Sequence, residues 1–378
     1  MNTWNGEVLR ISIFGESHGN GLGCVVDGLP AGIRTDADKI RHELNLRRPR
    51  GGNTTSRKED DDYEIVSGVS KDGVTCGTPL CVLFRNRDAR KGDYNTRIPR
   101  PSHADFSAYV KYHGFCDLNG GGHFSARLTA PLVFLGAIAR CELEKMGILS
   151  AVSIKSIGNA VGKSFYDTDF RDDIFINTDC EFPLIDASCR DDMLRELETA
   201  KEEKDSVGGT VEFCMKNLPV GLGEPFFSSV ESSLAQLMFS IPAVKGVEFG
   251  RGFELAKMRG SCANDEFDPV GVEEKIKGMN KNAQITYTNN AGGINGGLTN
   301  SMPLIMRVAF KPIPSIGQGL QSVDMQSFEP VIVKTEGRHD VCAALRGAFA
   351  VRSSACICMY DFLLKHSQYE RNSHGYSE

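Results

Sequence analysis

Residues 343–364 read AALRGAFAVRSSACICMYDFLL, and this stretch constrains the fold more than any other part of the chain. It is long enough to cross a bilayer, which takes about 20 residues. Arg346, Arg352 and Asp361 interrupt it, and charges are costly in hydrocarbon. The segment is therefore expected to be a helix buried in a protein core, with no membrane partner. With 378 residues, 40% of them hydrophobic, the chain has ample apolar material to build that core. Length alone is compatible with two domains or one large one. No proline-rich linker, repeat or low-complexity tract divides the sequence.

Periodicity predicts further elements. Residues 7–14 (EVLRISIF) read as a strand, and so do residues 80–84, 207–215 and 305–310. Residues 35–48 read as a helix with Thr35 as its N-cap and Ile40 and Leu44 on one face. Residues 129–146 form a stronger helical pattern, with Gly147 as the stop. Residues 229–241 and 340–364 complete the helices. The mixture implies an α and β protein, and periodicity goes no further.

The termini and cysteines bear on the compartment. The N-terminal MNTWNGEVLRISIFG has no cationic stretch leading a long apolar run, so no secretory leader is expected. The twelve cysteines show no C-x-x-C spacing. They are expected to be reduced core residues of a cytoplasmic protein, with no metal site.

Charge narrows the choice of ligand. The balance is 43 basic to 49 acidic residues, a net −6, which argues against a nucleic-acid partner. Yet residues 47–58 carry five cations and residues 85–100 carry six, beside glycines and histidines. Arginine forks suit carboxylate and phosphate, so a small, highly anionic ligand is expected near these loops.

Two patterns mislead. Residues 158–164 (GNAVGKS) have one residue too few for a phosphate-cradling P-loop, and no apolar helix follows. Gly15-Glu16-Ser17-His18-Gly19 matches the G-x-S-x-G of serine hydrolases, but the glycine-rich sequence after it is hostile to the helix such an elbow requires.

The histidines are more informative. His18 lies in GESHGNGLG and His103 in RPSHAD, each beside glycine or arginine. Both are candidate general acids near an anionic ligand. Gly120-Gly121-Gly122-His123-Phe124-Ser125-Ala126-Arg127 leads into a helix, a setting for an anion site built from backbone N–H groups and Arg127. Arg338 and Asp340 sit at the predicted start of the last helix, Asp340 as base or cap.

Together these segments resemble the chorismate synthases. GESHGNGLGCVVDGLPAGI, GGGHFSARLT and GRHDVCAALRGAF match the family's three signatures. RPSHAD, GLGEPFF, AVKGVEFGRGF, NNAGGINGG and KPIPSI fall between them in the family's order. The resemblance runs nearly end to end.

It implies one α+β domain over residues 1–378, a β-α-β sandwich of antiparallel sheets around a helical core, assembled as a homotetramer. It implies a lyase that eliminates phosphate from 5-enolpyruvylshikimate 3-phosphate to give chorismate. Reduced FMN is the implied cofactor, with NADPH involved only where the enzyme reduces its own flavin. His18 matches the family's proton donor to the departing phosphate, and His103 the donor to the reduced flavin. Asp340 matches the carboxylate that helps remove the hydrogen. Ser17, Arg47, Arg100, Arg127 and Arg338 match substrate-binding positions. His123, Phe124, Ser125, Ala243, Gly296, Lys311, Pro312, Ile313, Pro314, Ser315 and Arg338 match cofactor-binding positions. The chain departs from the commoner pattern at several places: His123 and Phe124 replace arginine and serine, Asn53 an arginine, Leu128 a glutamate, and Pro242 an asparagine. The competing reading is a non-catalytic flavin- or anion-binding relative; a serine hydrolase built on GESHG ranks well below it.

Overall fold

The structure, a computed structural model, describes residues 2–49, 52, 54, 59–88, 97–280, 282–335 and 340–374. Among these, the strands in chain order are β1 (Thr3–Asn5), β2 (Arg10–Gly15), β3 (Gly21–Asp27), β4 (Tyr63–Ser67), β5 (Leu80–Arg85), β6 (Leu149–Ile157), β7 (Ala160–Val161), β8 (Gly209–Lys216), β9 (Val244–Phe249), β10 (Ile294–Asn295), β11 (Leu298–Thr299), β12 (Leu304–Phe310), β13 (Leu320–Val323) and β14 (Pro330–Val333). The helices are α1 (Ala37–Arg47), α2 (Asp105–Lys111), α3 (Ala130–Lys145), α4 (Asp172–Asn177), α5 (Arg190–Glu202), α6 (Val230–Ser240), α7 (Gly260–Ala263), α8 (Pro269–Ile276) and α9 (Ala344–His374).

Two five-stranded sheets, each antiparallel throughout, run β1-β2-β3-β5-β4 and β7-β6-β8-β12-β9. Helices α3 and α9 lie against each other between them, α3 on β3 and β5, α9 on β6, β8 and β12. The first sheet alternates along β5: Leu80, Val82 and Phe84 are buried while Cys81 and Leu83 are part-exposed, as expected of a sheet with one core face. The second sheet is apolar on both faces. Val152, Phe213 and Met306 join the central core, whereas Ala151, Cys214 and Ile305, aligned across the register, join a smaller cluster with Phe165, Ile174 and Phe175. The expected β-α-β sandwich is the observed architecture.

The apolar stretch of 343–364 is buried as expected: α9 and α3, with the turns leading into it, are long and apolar enough to span a bilayer, yet 94% and 78% of their most apolar windows lie inside the protein. The two helices approach closely. A Cβ on Gly136 of α3 would stand 2.3 Å from the Cβ of Ser353, so only glycine permits this crossing. The three charges that interrupt the stretch each fasten α9 to another part of the chain, since a buried charge is tolerated only when paired. Arg346 bonds to the Arg47 carbonyl and to Asp340, Arg352 to Glu43 and Asp179, and Asp361 accepts from the N–H groups of Glu7, Val8 and Leu9 at 2.6–2.9 Å.

Several expectations need correction. The last helix begins at Ala344, not at residue 340, so Asp340 precedes it and does not cap it. Helix α1 is capped by Asp36, which accepts from Asp38 N and Lys39 N, while Thr35 bonds instead to the Gly73 carbonyl. The first predicted strand starts later, at Arg10. Of the twelve cysteines, all unpaired thiols, seven are buried but Cys76, Cys180 and Cys262 are exposed. The GNAVGKS segment opens as the β6–β7 hairpin, and the GESHG segment turns β2 into β3, so Ser17 has no helix behind it.

Candidate active site

The site is assembled where the turn after β2, the glycine triplet and the start of α3 meet. Gly120, Gly121 and Gly122 all hold positive φ (59°, 89° and 51°), a run that only glycine adopts readily. Their backbone lies directly on both catalytic candidates. A Cβ on Gly120 would fall 1.9 Å from the His18 ring, and one on Gly121 would lie 3.4 Å from His103 Nε2. Gly122 accepts a hydrogen bond from Ser17 N at 3.0 Å. Asn86 ties the same turn down, donating to the carbonyls of Glu16 and Gly19. Ser125 then caps a short 3-10 turn (Ala126–Thr129) that carries Arg127 into the site.

Two buried carboxylates hold the arginines. Asp61 takes Arg47 Nη2 at 2.7 Å and also Arg127 Nη1. Burial alone would raise its pKa, but the two guanidinium groups outweigh burial and hold it down at about 2. Burial lowers Arg47 to about 10, so it remains cationic at neutral pH. Asp105, at the start of α2, accepts from Arg100 Nε at 2.7 Å and lies 2.6 Å from His103 Nδ1. Burial again opposes ionisation, and the hydrogen bonds from His103 and Arg100 prevail, holding Asp105 well below the usual carboxylate range. Arg346 Nη1 reaches Asp340 at 2.8 Å.

These groups surround a cavity of about 560 Å³, within the usual range for small-molecule sites. Ser17, His18, Arg47, Arg100, His103, Arg127 and Asp340 all line it. So do His123, Phe124, Ser125, Ala243, Lys311, Ile313, Pro314 and Ser315. Pro312 is in the same segment but does not reach the wall, and Gly296 lies in the β10–β11 hairpin, away from it. Arg338, Asn53, Arg50 and Arg57 fall outside the described residues. Pro242 also lines the cavity, and Leu128 is buried in the turn before α3. His123 lies against Phe124, ring centroids 4.0 Å apart, with its Nε2 3.5 Å from Tyr112 Oη.

Of the described cations in the two basic loops, only Arg47 and Arg100 line the cavity. Arg48, Arg85, Arg87 and Arg97 form ion pairs with Asp60, Glu64, Asp62 and Asp324. Among the described residues, the wall nonetheless holds six cations (Arg47, Arg100, Arg127, Lys245, Lys311, Arg346) against three carboxylates (Glu59, Asp61, Asp340). In a chain of net −6, that local excess selects for a polyanion. Among the described residues, Arg47 Nε and Arg127 Nη2 are buried donors without a hydrogen-bond partner. Sequence reasoning missed Asp61, Asp105, Asn86 and Arg346. The only signal for Asp105 was its place two residues after His103.

The model of the chorismate synthase family matches residues 9–364. The chain belongs to the chorismate synthase family. The chorismate synthase of Thermococcus kodakarensis is 41% identical over 367 residues, covering 97% of this chain and 98% of the relative. That of Aeropyrum pernix is 43% identical over 364 residues, 95% of this chain and 92% of the relative. A chorismate synthase crystal structure superposes with a TM-score of 0.72 at 29% identity, covering 96% of this chain and 93% of that one. Membership in this family accounts for a site in which residues from the three signatures face one cavity.

Proposed function

We propose that this chain is a carbon–oxygen lyase that converts 5-enolpyruvylshikimate 3-phosphate to chorismate by anti-1,4-elimination of phosphate, in the shikimate pathway of aromatic amino-acid biosynthesis. One observation carries the reading. His18, His103 and Asp340, more than 200 residues apart at the extremes, face a single cavity whose wall is rich in arginine.

We infer reduced FMN as the cofactor. The cavity suits it: cationic excess and unspent guanidinium donors match a substrate and a flavin that are both anionic. His123, Phe124, Ser125, Ala243, Lys311, Ile313, Pro314 and Ser315 would hold it, together with Arg338. When bound, reduced FMN supplies transient electron density for C–O cleavage and takes up the hydrogen lost at C6. The protein does the rest. Ser17, Arg47, Arg100 and Arg127 grip phosphate and carboxylates. The His18 imidazole, braced on Gly120, protonates the departing phosphate. His103 presents Nε2 as a proton donor, and Asp340 accepts a proton, its Oδ2 held by Arg346. Because the donors are fixed before substrate arrives, they stabilise developing charge without reorganising.

We read the chain as one domain over residues 1–378, supported by a single buried cluster that runs from Leu9 to Phe362 and contacts both sheets. A cytoplasmic homotetramer is proposed with it on the family resemblance; the exposed aromatics Phe226, Phe227 and Phe253 suit a subunit interface. Its partner is then the small substrate, with neither nucleic acid nor membrane, and NADPH enters only where the enzyme reduces its own flavin. An anaerobic assay with substrate and chemically reduced FMN tests the reading. Chorismate is expected with reduced FMN and absent with oxidised FMN or none. A protein that binds both ligands and forms no chorismate is the non-catalytic relative.

A further inference from the structure

Asp105 does not line the cavity, yet two groups that do are built on it. Its Oδ2 accepts from the Arg100 backbone N–H at 3.0 Å and from Arg100 Nε at 2.7 Å. Its Oδ1 accepts from Arg100 Nη2 at 2.9 Å and stands 2.6 Å from His103 Nδ1. The side chain is 7% exposed. Ser315, which also lines the cavity, accepts from Arg100 Nη1 at 3.1 Å.

This geometry decides the histidine tautomer. A carboxylate oxygen 2.6 Å from a bare ring nitrogen would set lone pair against lone pair, so the proton must be on Nδ1. Arg100 Nη2 lies 3.2 Å from the same nitrogen. One of its two hydrogens goes to Asp105 Oδ1, and that ionised oxygen, closer to the ring nitrogen than Arg100 is, decides where the ring hydrogen sits. The opposite nitrogen, Nε2, is then the one turned to the glycine loop and the cavity. Among the described residues, the other titratable groups near this ring include Lys311, whose Nζ bonds to the Ser102 carbonyl, and, by the glycine triplet, His18 and His123.

We propose that Asp105 is a positioning residue that keeps a hydrogen on His103 Nδ1, so that Nε2, aimed into the cavity, is the nitrogen that gains and gives up the catalytic proton, and that it locks the Arg100 guanidinium beside the ring as one rigid unit. The proton donor and an anion-binding arginine thus keep a constant spacing whether or not a ligand is present. The proposal rests on the function proposed above.

Two measurements test it. The first needs no variant. With 15N-labelled histidine, the ring shifts of His103, assigned by comparison with His103→Gln, should show a hydrogen on Nδ1 in the wild-type protein, whether Nε2 is bare or protonated. A neutral ring with a bare Nδ1 and its hydrogen on Nε2 overturns the proposal. The second is Asp105→Asn, which keeps the shape and removes the charge. It should mix the tautomers and lower kcat by about 10²-fold or more, the lower range for a compromised acid–base group, while KM for substrate rises as Arg100 loosens. Oxidised-FMN binding should be retained, and because breaking a buried ion pair lowers stability, kcat and KM are measured per folded molecule below the unfolding transition. Wild-type kcat and KM in this variant overturn the proposal, and if it does not fold the wild-type ring shifts decide. Chorismate formation by the wild type in the same assay separates this test from the functional reading: without it, that reading fails first.

Discussion

Among the described residues, two buried clusters of arginine and carboxylate differ in charge balance and in access to a cavity. In one, Arg352 and Arg140 share Glu43 and Asp179: Arg352 reaches Glu43 at 2.7 Å and Asp179 at 2.8 Å, and Arg140 contacts both as well as Glu144. With Lys39, which pairs with Glu144, three cations meet three carboxylates, and the cluster joins α1, α3, α9 and the turn after α4. In the other, Arg47, Arg127 and Arg100 meet Asp61 and Asp105, and the guanidinium groups also line a cavity. Unpartnered donors do not by themselves distinguish the two, because Arg352 Nε lacks a partner as much as Arg47 Nε does. Charge balance and an opening do. A closed, balanced cluster can only hold helices together, whereas an open one with excess cation has capacity for a ligand. Buried ion pairs add little net stability, but breaking one is costly.

The largest effects should fall on turnover at the open cluster. His18→Ala, His103→Ala and Asp340→Asn are each expected to slow chorismate formation by roughly 10²–10⁴, the usual range for lost acid–base groups, with folding and flavin binding retained. In Asp340→Asn, substrate deuterated at C6 should show an enlarged isotope effect because C–H cleavage has become more limiting. Wild-type turnover in any of the three removes that residue from its role.

At the closed cluster the signature should reverse. Arg352 and Arg140 hold Glu43 below its ordinary pKa against the opposing effect of burial. Glu43→Gln leaves their charge uncompensated and should destabilise the fold by about 3–5 kcal/mol, measured by denaturant unfolding. Activity per folded molecule should stay near wild type. Lost activity in a stable Glu43→Gln protein would erase the distinction between the two clusters.

Acid should probe the open cluster more gently. Asp61 titrates at about 2 in the folded protein, below its ordinary 3.8. Its stabilisation is therefore complete above pH ~4 and lost as pH falls toward 2, amounting to about 2 kcal/mol. Asp61→Asn should flatten that part of the stability–pH curve, leaving the slope from Asp105 and Asp179, which are also held low. An unchanged curve would mean that Asp61 is not ionised between the arginines.

The smallest effect is expected at His123. Replacing it by the family's commoner arginine supplies a permanent cation at the cavity wall. His123→Arg should tighten FMN a few-fold, within about 1 kcal/mol, as for other partly exposed charge pairs. Fluorescence titration measures this, and weaker binding would indicate that packing of the imidazole on Phe124 matters more than charge.

How much of this was legible in the sequence follows from the physics of each residue. The burial of 343–364 was readable because three charges in an apolar run exclude lipid, but their partners Glu43, Asp179 and the N–H groups of residues 7–9 are set by tertiary packing. His18 and His103 stood out through their glycine and arginine neighbours. Asp61 and Asp105 did not, because an acid in a charge-rich stretch looks the same whether solvated or buried. The start of α9 was misplaced since residues 340–343 carry no breaker, and the α1 cap was misplaced by one because Thr35 and Asp36 both suit that position. The basic loops overstated the site: most of their described arginines satisfy surface acids, and only Arg47 and Arg100 turn inward.

The central claim is that the open cluster performs an elimination with no net redox change. The direct measurement counts products against reductant, anaerobically, with photoreduced FMN at a fraction of the substrate concentration. One phosphate released per chorismate, many chorismates per flavin and flavin still reduced at the end are expected. One reductant consumed per chorismate, or equal turnover with oxidised FMN, would contradict the claim.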